Sequence, residues 1–250
     1  PINHDFSHDK SHGYYTLDDR MKNEATVSPK YPSALDPIPK YLTHYFERSA
    51  GPFLNICDLG DDEVQRIREF ELSNNIEFSR FRAWPEFMKS RRAADDLLIQ
   101  LYEEKFKKKP THRPVFAVLG DCPKIPSMYV NPQSLRIQIS DLRTDEVTFM
   151  YPDHAHLIQF FNHEAPAFGV TLPGNYSEES MPYYGKLFTY DDLRELHIEY
   201  GIKDRIDRCL DGPSPFVFSY VEAHIWTRNV KSTPTDLRSI EGSNQSGDGQ

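Results

Sequence analysis

The residues best equipped for chemistry lie near the end of the chain, in Phe216-Val-Phe-Ser-Tyr-Val-Glu-Ala-His-Ile-Trp226. Read as a strand, this segment alternates its side chains between two faces. Val217, Ser219, Val221, Ala223 and Ile225 form one face, small and largely apolar, as packing against a core requires. Phe216, Phe218, Tyr220, Glu222, His224 and Trp226 form the other, a carboxylate beside an imidazole with rings at both ends. That combination suits a ligand cleft, where flat rings stack and an acid accepts hydrogen bonds or polarises a bond. The competing reading is an amphipathic sheet in which Glu222 pairs with a cross-strand Arg or Lys and the rings make a second core.

Two further groups of residues carry chemical possibilities. In Tyr41-Leu-Thr-His-Tyr-Phe-Glu-Arg48, a strand would place Thr43, Tyr45 and Glu47 on one side and Leu42, His44, Phe46 and Arg48 on the other. A histidine so placed is either a satisfied core group or a working partner of the late glutamate. The third group is Asp153-His-Ala-His156 with His163-Glu164 beyond it. On a strand, His154 and His156 would share a side, and with His163 they could hold a divalent metal (Zn²⁺, Fe²⁺ or Mn²⁺) that activates water. Leu157, Ile158, Phe160 and Phe161 instead suggest a short helix, on which residues two apart diverge. His4, His8 and His12 form a weaker trio near the start. Cys122 in Gly120-Asp-Cys-Pro123 follows a strand, but with no base beside it the residue reads as a buried structural cysteine. No GxGxxG, Walker A or GxSxG pattern occurs, which removes the standard dinucleotide, P-loop and hydrolase-elbow readings.

The elements that must position these residues follow from periodicity and punctuation. Gly60-Asp-Asp-Glu63 before Val64, Ile67 and Phe70 predicts a short helix with an acidic first turn. A longer helix starts near Trp84-Pro85, its inner face carrying Phe87, Ala94, Leu98, Leu101, Tyr102 and Phe106. Its end is marked by Lys105, Lys107, Lys108 and Lys109, a charge run that reads as a solvated helix terminus rather than a nucleic-acid patch. Val115–Leu119 is an apolar run stopped by Gly120, hence a buried strand. Leu135, Ile137 and Ile139 alternate with polar residues, and Val147–Phe149 predicts another strand. Asp191–Tyr200 reads as a helix capped by Thr189 and stopped by Gly201. Helices first, then mainly strands, predict an α+β fold with N-terminal helices packed on a mainly antiparallel β-sheet. An extended arm over residues 1–40, a single domain over 41–230 and a flexible tail over 231–250 complete the expected organisation.

Composition narrows the class of function. The 250 residues hold 29 Lys and Arg against 38 Asp and Glu, a net charge of −9, which disfavours sequence-independent nucleic-acid binding. No apolar run nears the ~20 residues that span a bilayer, so no membrane role is expected. Aromatic residues at 13% exclude a disordered chain, and 19 prolines against 12 glycines predict many turns rather than a helical bundle. Three scattered cysteines without a CxxC pair fit a reducing cytoplasm, and the start at Pro1-Ile2-Asn3-His4 shows no signal-peptide pattern.

The Leu42-Thr-His-Tyr45 strand and the late Tyr220-Val-Glu-Ala223 strand together resemble the ADP-ribosyltransferase-like fold. The chain is also similar to bacterial proteins of comparable length that have no assigned function. The first resemblance implies that His44 contacts the nicotinamide ribose of NAD and that Glu222 is the catalytic carboxylate. It also implies an aromatic side chain stacked on nicotinamide, for which Tyr183 or Tyr184 in Pro182-Tyr-Tyr-Gly-Lys186 is positioned, with Tyr220 a further cofactor contact. Arginine-modifying members often carry Gln or Glu two residues before the glutamate, where this chain has Tyr220. The expected function is therefore transfer of ADP-ribose from NAD to a small-molecule or protein acceptor, or hydrolysis of NAD. The alternatives are a metal-dependent enzyme built on His154, His156 and His163, and a non-catalytic module that docks a ligand or partner on the aromatic strand face.

Overall fold

A computed structural model describes residues 38–74, 76, 80–83, 85–155, 157, 183–211 and 219–237, all within the unit Pro32–Gln250. Six strands among them form one antiparallel sheet: β1 (Tyr41–Glu47), β2 (Val115–Leu119), β3 (Pro132–Gln138), β4 (Val147–Met150), β5 (Glu222–Ile225) and β6 (Thr233–Pro234). Their spatial order is β4-β5-β2-β1-β3-β6. The two strands singled out in the sequence, β1 and β5, are thus separated by β2 alone.

Four helices among the described residues accompany the sheet: α1 (Asp61–Ser73), α2 (Glu86–Phe106), α3 (Tyr190–Tyr200) and α4 (Ile202–Asp211). The class is α+β, as expected, but α3 and α4 come late, so the helices are not confined to the N-terminal half. The local signals for α3 act as read. The Thr189 hydroxyl accepts from the Asp192 N–H at 3.2 Å, the Asp192 carboxylate accepts from the Thr189 N–H at 2.8 Å, and Gly201 closes the helix with φ of 60°. Helix α1 begins after Gly60, whose N–H donates to Glu63 Oε2 at 3.2 Å, and carries acids throughout its first turn. Pro85 stands just before α2 as its N-cap.

Helix α2 packs its apolar face on the β4–β5–β2 end of the sheet. Leu98 and Tyr102 join Met150, Leu157, Leu187 and Trp226 in one core cluster, and the Tyr102 and Trp226 rings lie 4.4 Å apart. A second cluster joins Tyr45, Val118, Cys122 and Ile125 at the β1–β2 end. There the chain leaves β2 through Gly120, at φ of 71°, where an added Cβ would stand 2.8 Å from the Pro39 ring.

The strand expected over Phe216–Trp226 is shorter than the alternation suggested: β5 spans Glu222–Ile225, Ser219 and Tyr220 form a bend, and Phe216 to Phe218 lie outside the described residues. The arm expected over 1–40, save residues 38–40, and the tail over 231–250, save 231–237, also lie outside them. No described helix is long and apolar enough to cross a membrane.

Candidate active site

The site starts from an incomplete ladder. Strand β1 pairs with β3 along all seven of its residues, but its pairing with β2 holds only at Leu42–Leu119 and Thr43–Val118. Beyond that point the strands part, and the His44 side chain takes up the bonding. Its Nδ1–H donates to the Phe116 carbonyl at 2.8 Å, satisfying an oxygen that a ladder would otherwise use. Its Nε2 accepts from the Phe53 N–H at 2.9 Å, pinning the loop that follows β1. Phe53 sits in the left-handed region, φ 61°, an unusual place for a bulky residue, and its ring stacks on the imidazole at 5.1 Å. One donor and one acceptor on the ring fix a neutral tautomer. Burial lowers the imidazole to about 4, against a smaller opposing effect of the Phe116 carbonyl.

Strand β5 delivers the second group. Glu222 lies in register with Val118 on β2 and Met150 on β4, buried on the side of the sheet that meets α2. His154, in the segment after β4, closes on it twice. The His154 backbone N–H donates to Oε2 at 2.6 Å, and Nδ1–H donates to the carboxylate at 2.8 Å. His224 approaches from the same strand, its Nε2 at 3.8 Å from Oε2. A short relay orients that ring: Trp226 Nε1–H donates to Thr148 Oγ1 at 2.8 Å, and the Thr148 hydroxyl lies 3.3 Å from His224 Nδ1. Donation by the hydroxyl leaves the His224 proton on Nε2, facing the carboxylate. Burial pushes Glu222 up, but the His154 charge and the imidazole hydrogen bonds outweigh it and hold the carboxyl well below its ordinary range. Burial also lowers His224, an effect the neighbouring glutamate partly offsets.

Two more carboxylates flank this pair and behave differently. Asp153 accepts from the Tyr220 hydroxyl at 2.8 Å through Oδ2 and from the Ala155 N–H at 3.0 Å through Oδ1. Burial, and then the Glu222 charge, push its carboxyl up to about 7. Burial and the Asp153 charge drive the Tyr220 phenol well above its usual range, so it stays a donor. Asp95 on α2 is fully buried and accepts from Asn55 Nδ2 at 2.9 Å. Its Oδ1 lies 3.2 Å from Arg91 Nε and 3.9 Å from His154 Nε2, without hydrogen-bond geometry to either. The Arg91 guanidinium rests over the Phe116 ring at 4.1 Å, and the His154 ring stacks on Phe116 at 4.4 Å.

These groups wall one end of a cavity of about 580 Å³ that both His44 and Glu222 line. Asp153, His154, Tyr220 and Arg91 line the same end. The rest of the lining includes Phe46, Tyr129, Phe70 and Leu54, with Arg66 and Arg80 and the carboxylates of Glu47, Glu63 and Glu71 among them. Arg80 is tied to Glu71 at 2.7 Å. The cavity therefore joins the acid–imidazole group to apolar and aromatic surface that carries charged groups of both signs.

The structure brings His44, Glu222 and Tyr220 together but not the two tyrosines expected to stack on nicotinamide. Tyr183 and Tyr184 are fully buried away from the cavity, where the Tyr183 ring meets Tyr151 at 5.7 Å and Tyr200 at 5.8 Å. They are core residues, and Tyr200, which Tyr183 meets, ends α3. His44 also departs from expectation, since both its nitrogens are spent inside the protein and none is left for a ribose. Glu222 has no cross-strand Arg or Lys, and its partners are imidazoles and a peptide N–H. His154, read as a metal ligand, instead commits Nδ1 to Glu222. His156 and His163 lie outside the described residues, among which no three His, Cys, Asp or Glu side chains converge to hold a metal. Asp95, Arg91 and Thr148 carry no local signal of a site in the sequence, and the one signal for Asp153 is its place beside His154. No protein-family model matches the chain, and neither does any curated protein or solved structure.

Proposed function

We propose that this chain is an NAD-using enzyme of ADP-ribosyltransferase type, which breaks the bond between nicotinamide and ribose and passes ADP-ribose to an acceptor or to water. The observation that carries this reading is that Glu222 of β5 and His44 of β1, the two residues of the resemblance, line a single cavity across β2. The volume of about 580 Å³ lies within the range of small-molecule sites, roughly 300–1,000 Å³. Its aromatic lining offers surface for a flat base, and Arg66 and Arg91 supply positive charge for a diphosphate.

The chemistry asked of the protein is electrostatic. As the glycosidic bond lengthens, the ribose gains positive charge, and nicotinamide leaves as a neutral molecule. Glu222, fixed by two hydrogen bonds from His154 and buried from water, presents a carboxylate that needs no reorganisation to stabilise that charge. His44 acts at one remove, holding β1 and β2 apart so that the cavity reaches the glutamate. Glu222→Gln keeps the side chain's size and removes its charge. Nicotinamide release from NAD, followed by chromatography, should fall roughly 10²–10³-fold in this variant while it remains folded. A variant releasing nicotinamide at the wild-type rate would refute the reading.

A further inference from the structure

Glu222 accounts for bond breaking but leaves the acceptor's proton without a destination, because a carboxylate that took it would lose the charge that stabilises the ribose. An imidazole is the commonest carrier of such a proton. Among the described residues two imidazoles line the cavity, those of His44 and His154. His44 has no nitrogen to offer, since Nδ1 is bonded to the Phe116 carbonyl and Nε2 to the Phe53 N–H. His224 does not border the cavity, and its Nε2 is buried. His154 differs from both. Its Nδ1–H is held by the Glu222 carboxylate at 2.8 Å and its ring stacks on Phe116 at 4.4 Å, which fixes the imidazole and turns Nε2 away from the glutamate. Nε2 makes no hydrogen bond among the described residues and, unlike His224 Nε2, is not sealed inside the protein. With the proton on Nδ1, the neutral ring carries its lone pair on this open nitrogen.

Resting on the NAD reading above, we propose that His154, through Nε2, is the general base for the acceptor and that the acceptor is a hydroxyl, water being the smallest. As the bond between the ribose C1 carbon and nicotinamide breaks, its electron pair leaves with nicotinamide. The acceptor oxygen forms the new bond to C1, and its proton passes to His154 Nε2, which returns it to solvent. The sum is NAD⁺ plus water giving ADP-ribose, nicotinamide and a proton. On taking the proton the ring becomes an imidazolium between two carboxylates. Glu222 from β5 already holds Nδ1–H, and Asp95 from α2 presents Oδ1 at 3.9 Å from Nε2, a buried oxygen without a hydrogen-bond donor. Arg91 Nε, also from α2, lies 3.2 Å from that oxygen, and Asp153 from the segment of His154 and His224 from β5 complete the titratable surroundings. The geometry is that of a carboxylate–imidazole pair, in which the acid orients the ring and stabilises the cation it becomes. Glu222 thus meets both positive charges of the reaction, on the ribose as the bond breaks and on the ring as the proton arrives. A hydroxyl fits this base because it is neutral and loses its proton only as its oxygen bonds to C1.

The test uses the full chain with NAD, water as one acceptor, and sodium azide as another that has no proton to lose. In His154→Asn the side-chain amide donates to Glu222 from the place of Nδ1, the backbone N–H bond is kept, and no proton-accepting nitrogen remains. In water this variant should release nicotinamide roughly 10²–10⁴-fold more slowly than the wild type. With azide it should form ADP-ribosyl azide, identifiable by its mass, at the wild-type rate. Glu222→Gln should instead slow both reactions, because stabilisation of the ribose cation serves either nucleophile. Where His154→Asn does not fold, His154→Gln is read in the same way. Hydrolysis at the wild-type rate in the folded variant overturns the assignment. So does an equal fall of the water and azide reactions, which would make His154 only a positioning residue for Glu222. The two readings fail separately: a wild-type chain inert toward NAD with either acceptor overturns both, whereas an active wild type with an unchanged His154→Asn overturns only the role of His154.

Discussion

Asp121 and Glu222 are both carboxylates held against the same sheet, and they are held by opposite kinds of partner. Asp121 accepts from the Tyr41 hydroxyl at 2.7 Å and Thr43 Oγ1 at 2.6 Å, and it pairs with Arg136 at 3.1 Å. Arg136 in turn covers the Tyr41 ring at 4.1 Å. A guanidinium keeps its charge at any working pH, so this cluster is a strut joining β1, β3 and the end of β2. Among the described residues, Glu222 has no Arg or Lys within bonding distance. Its donors are the peptide N–H and the imidazole of His154, the His224 imidazole lies 3.8 Å away, and its neighbours include a second acid. Asp121 thus has a partner of permanent charge, whereas Glu222 has partners whose charge responds to their surroundings.

Four experiments would sharpen or break that contrast. The largest effect on stability belongs to His154→Ala, which strands the Glu222 charge in a buried site and should cost about 3–5 kcal/mol. Denaturant unfolding at pH 7 would show it, and a cost below about 1 kcal/mol would make the His154–Glu222 contact incidental. Asp153→Asn comes next, with the opposite sign. The Asp153 carboxyl titrates near 7 when folded but near its ordinary value when unfolded, so the folded state binds the extra proton in between. The contribution of Asp153 to stability therefore declines as pH rises from about 4 to 7. Asp153→Asn removes that decline: its melting temperature should match the wild type near pH 4 and exceed it above pH 7. Equal gaps at both pH values would mean that Asp153 is not a strained acid.

The third effect concerns His44. Lowered to about 4 in the fold against 6.5 unfolded, it disfavours protonation of the folded state. Its contribution is whole above pH 6.5 and is lost as pH falls towards 4, up to about 3 kcal/mol for a shift of this size. In the Asp153→Asn background, where the opposing acid is gone, melting temperature should fall through that window, and a flat profile would contradict the tautomer assigned here. The smallest effect is that of Asp121→Asn, about 1 kcal/mol for a partly exposed pair, with NAD turnover per folded molecule unchanged. Loss of turnover in that variant would erase the distinction between the two carboxylates.

Local signals carried most of the fold into the sequence. The acidic first turn before Val64, the apolar face from Phe87 to Phe106, the run Val115–Leu119 and the Thr189 and Gly201 caps depend on neighbours within a turn or two. Each specifies its element nearly alone. The alternation around Glu222 likewise marked the strand and the face. It could not fix where pairing stops, because β5 is bounded by the lengths of β2 and β4 rather than by its own residues. The site was legible only in its strand-borne members. His154 meets Glu222 across 68 residues, and Asp153 meets Tyr220 across 67. Nothing local distinguishes an aspartate at a turn from one swung into a cavity. Tyr183 and Tyr184 failed for the same reason: a pair of rings near a glycine looks alike whether it faces a ligand or a core.

The way His44 is bonded has a consequence for which residues this chain can accept. The imidazole offers a donor and an acceptor on opposite sides of one rigid ring, and both are used, one on the Phe116 carbonyl and one on the Phe53 N–H. Asparagine can imitate the first nitrogen and glutamine the second, but neither spans both, and every apolar residue leaves two backbone groups stranded. A library of all twenty amino acids at position 44, sorted for folded protein, should therefore return histidine alone, whether or not the sorting asks for any chemistry.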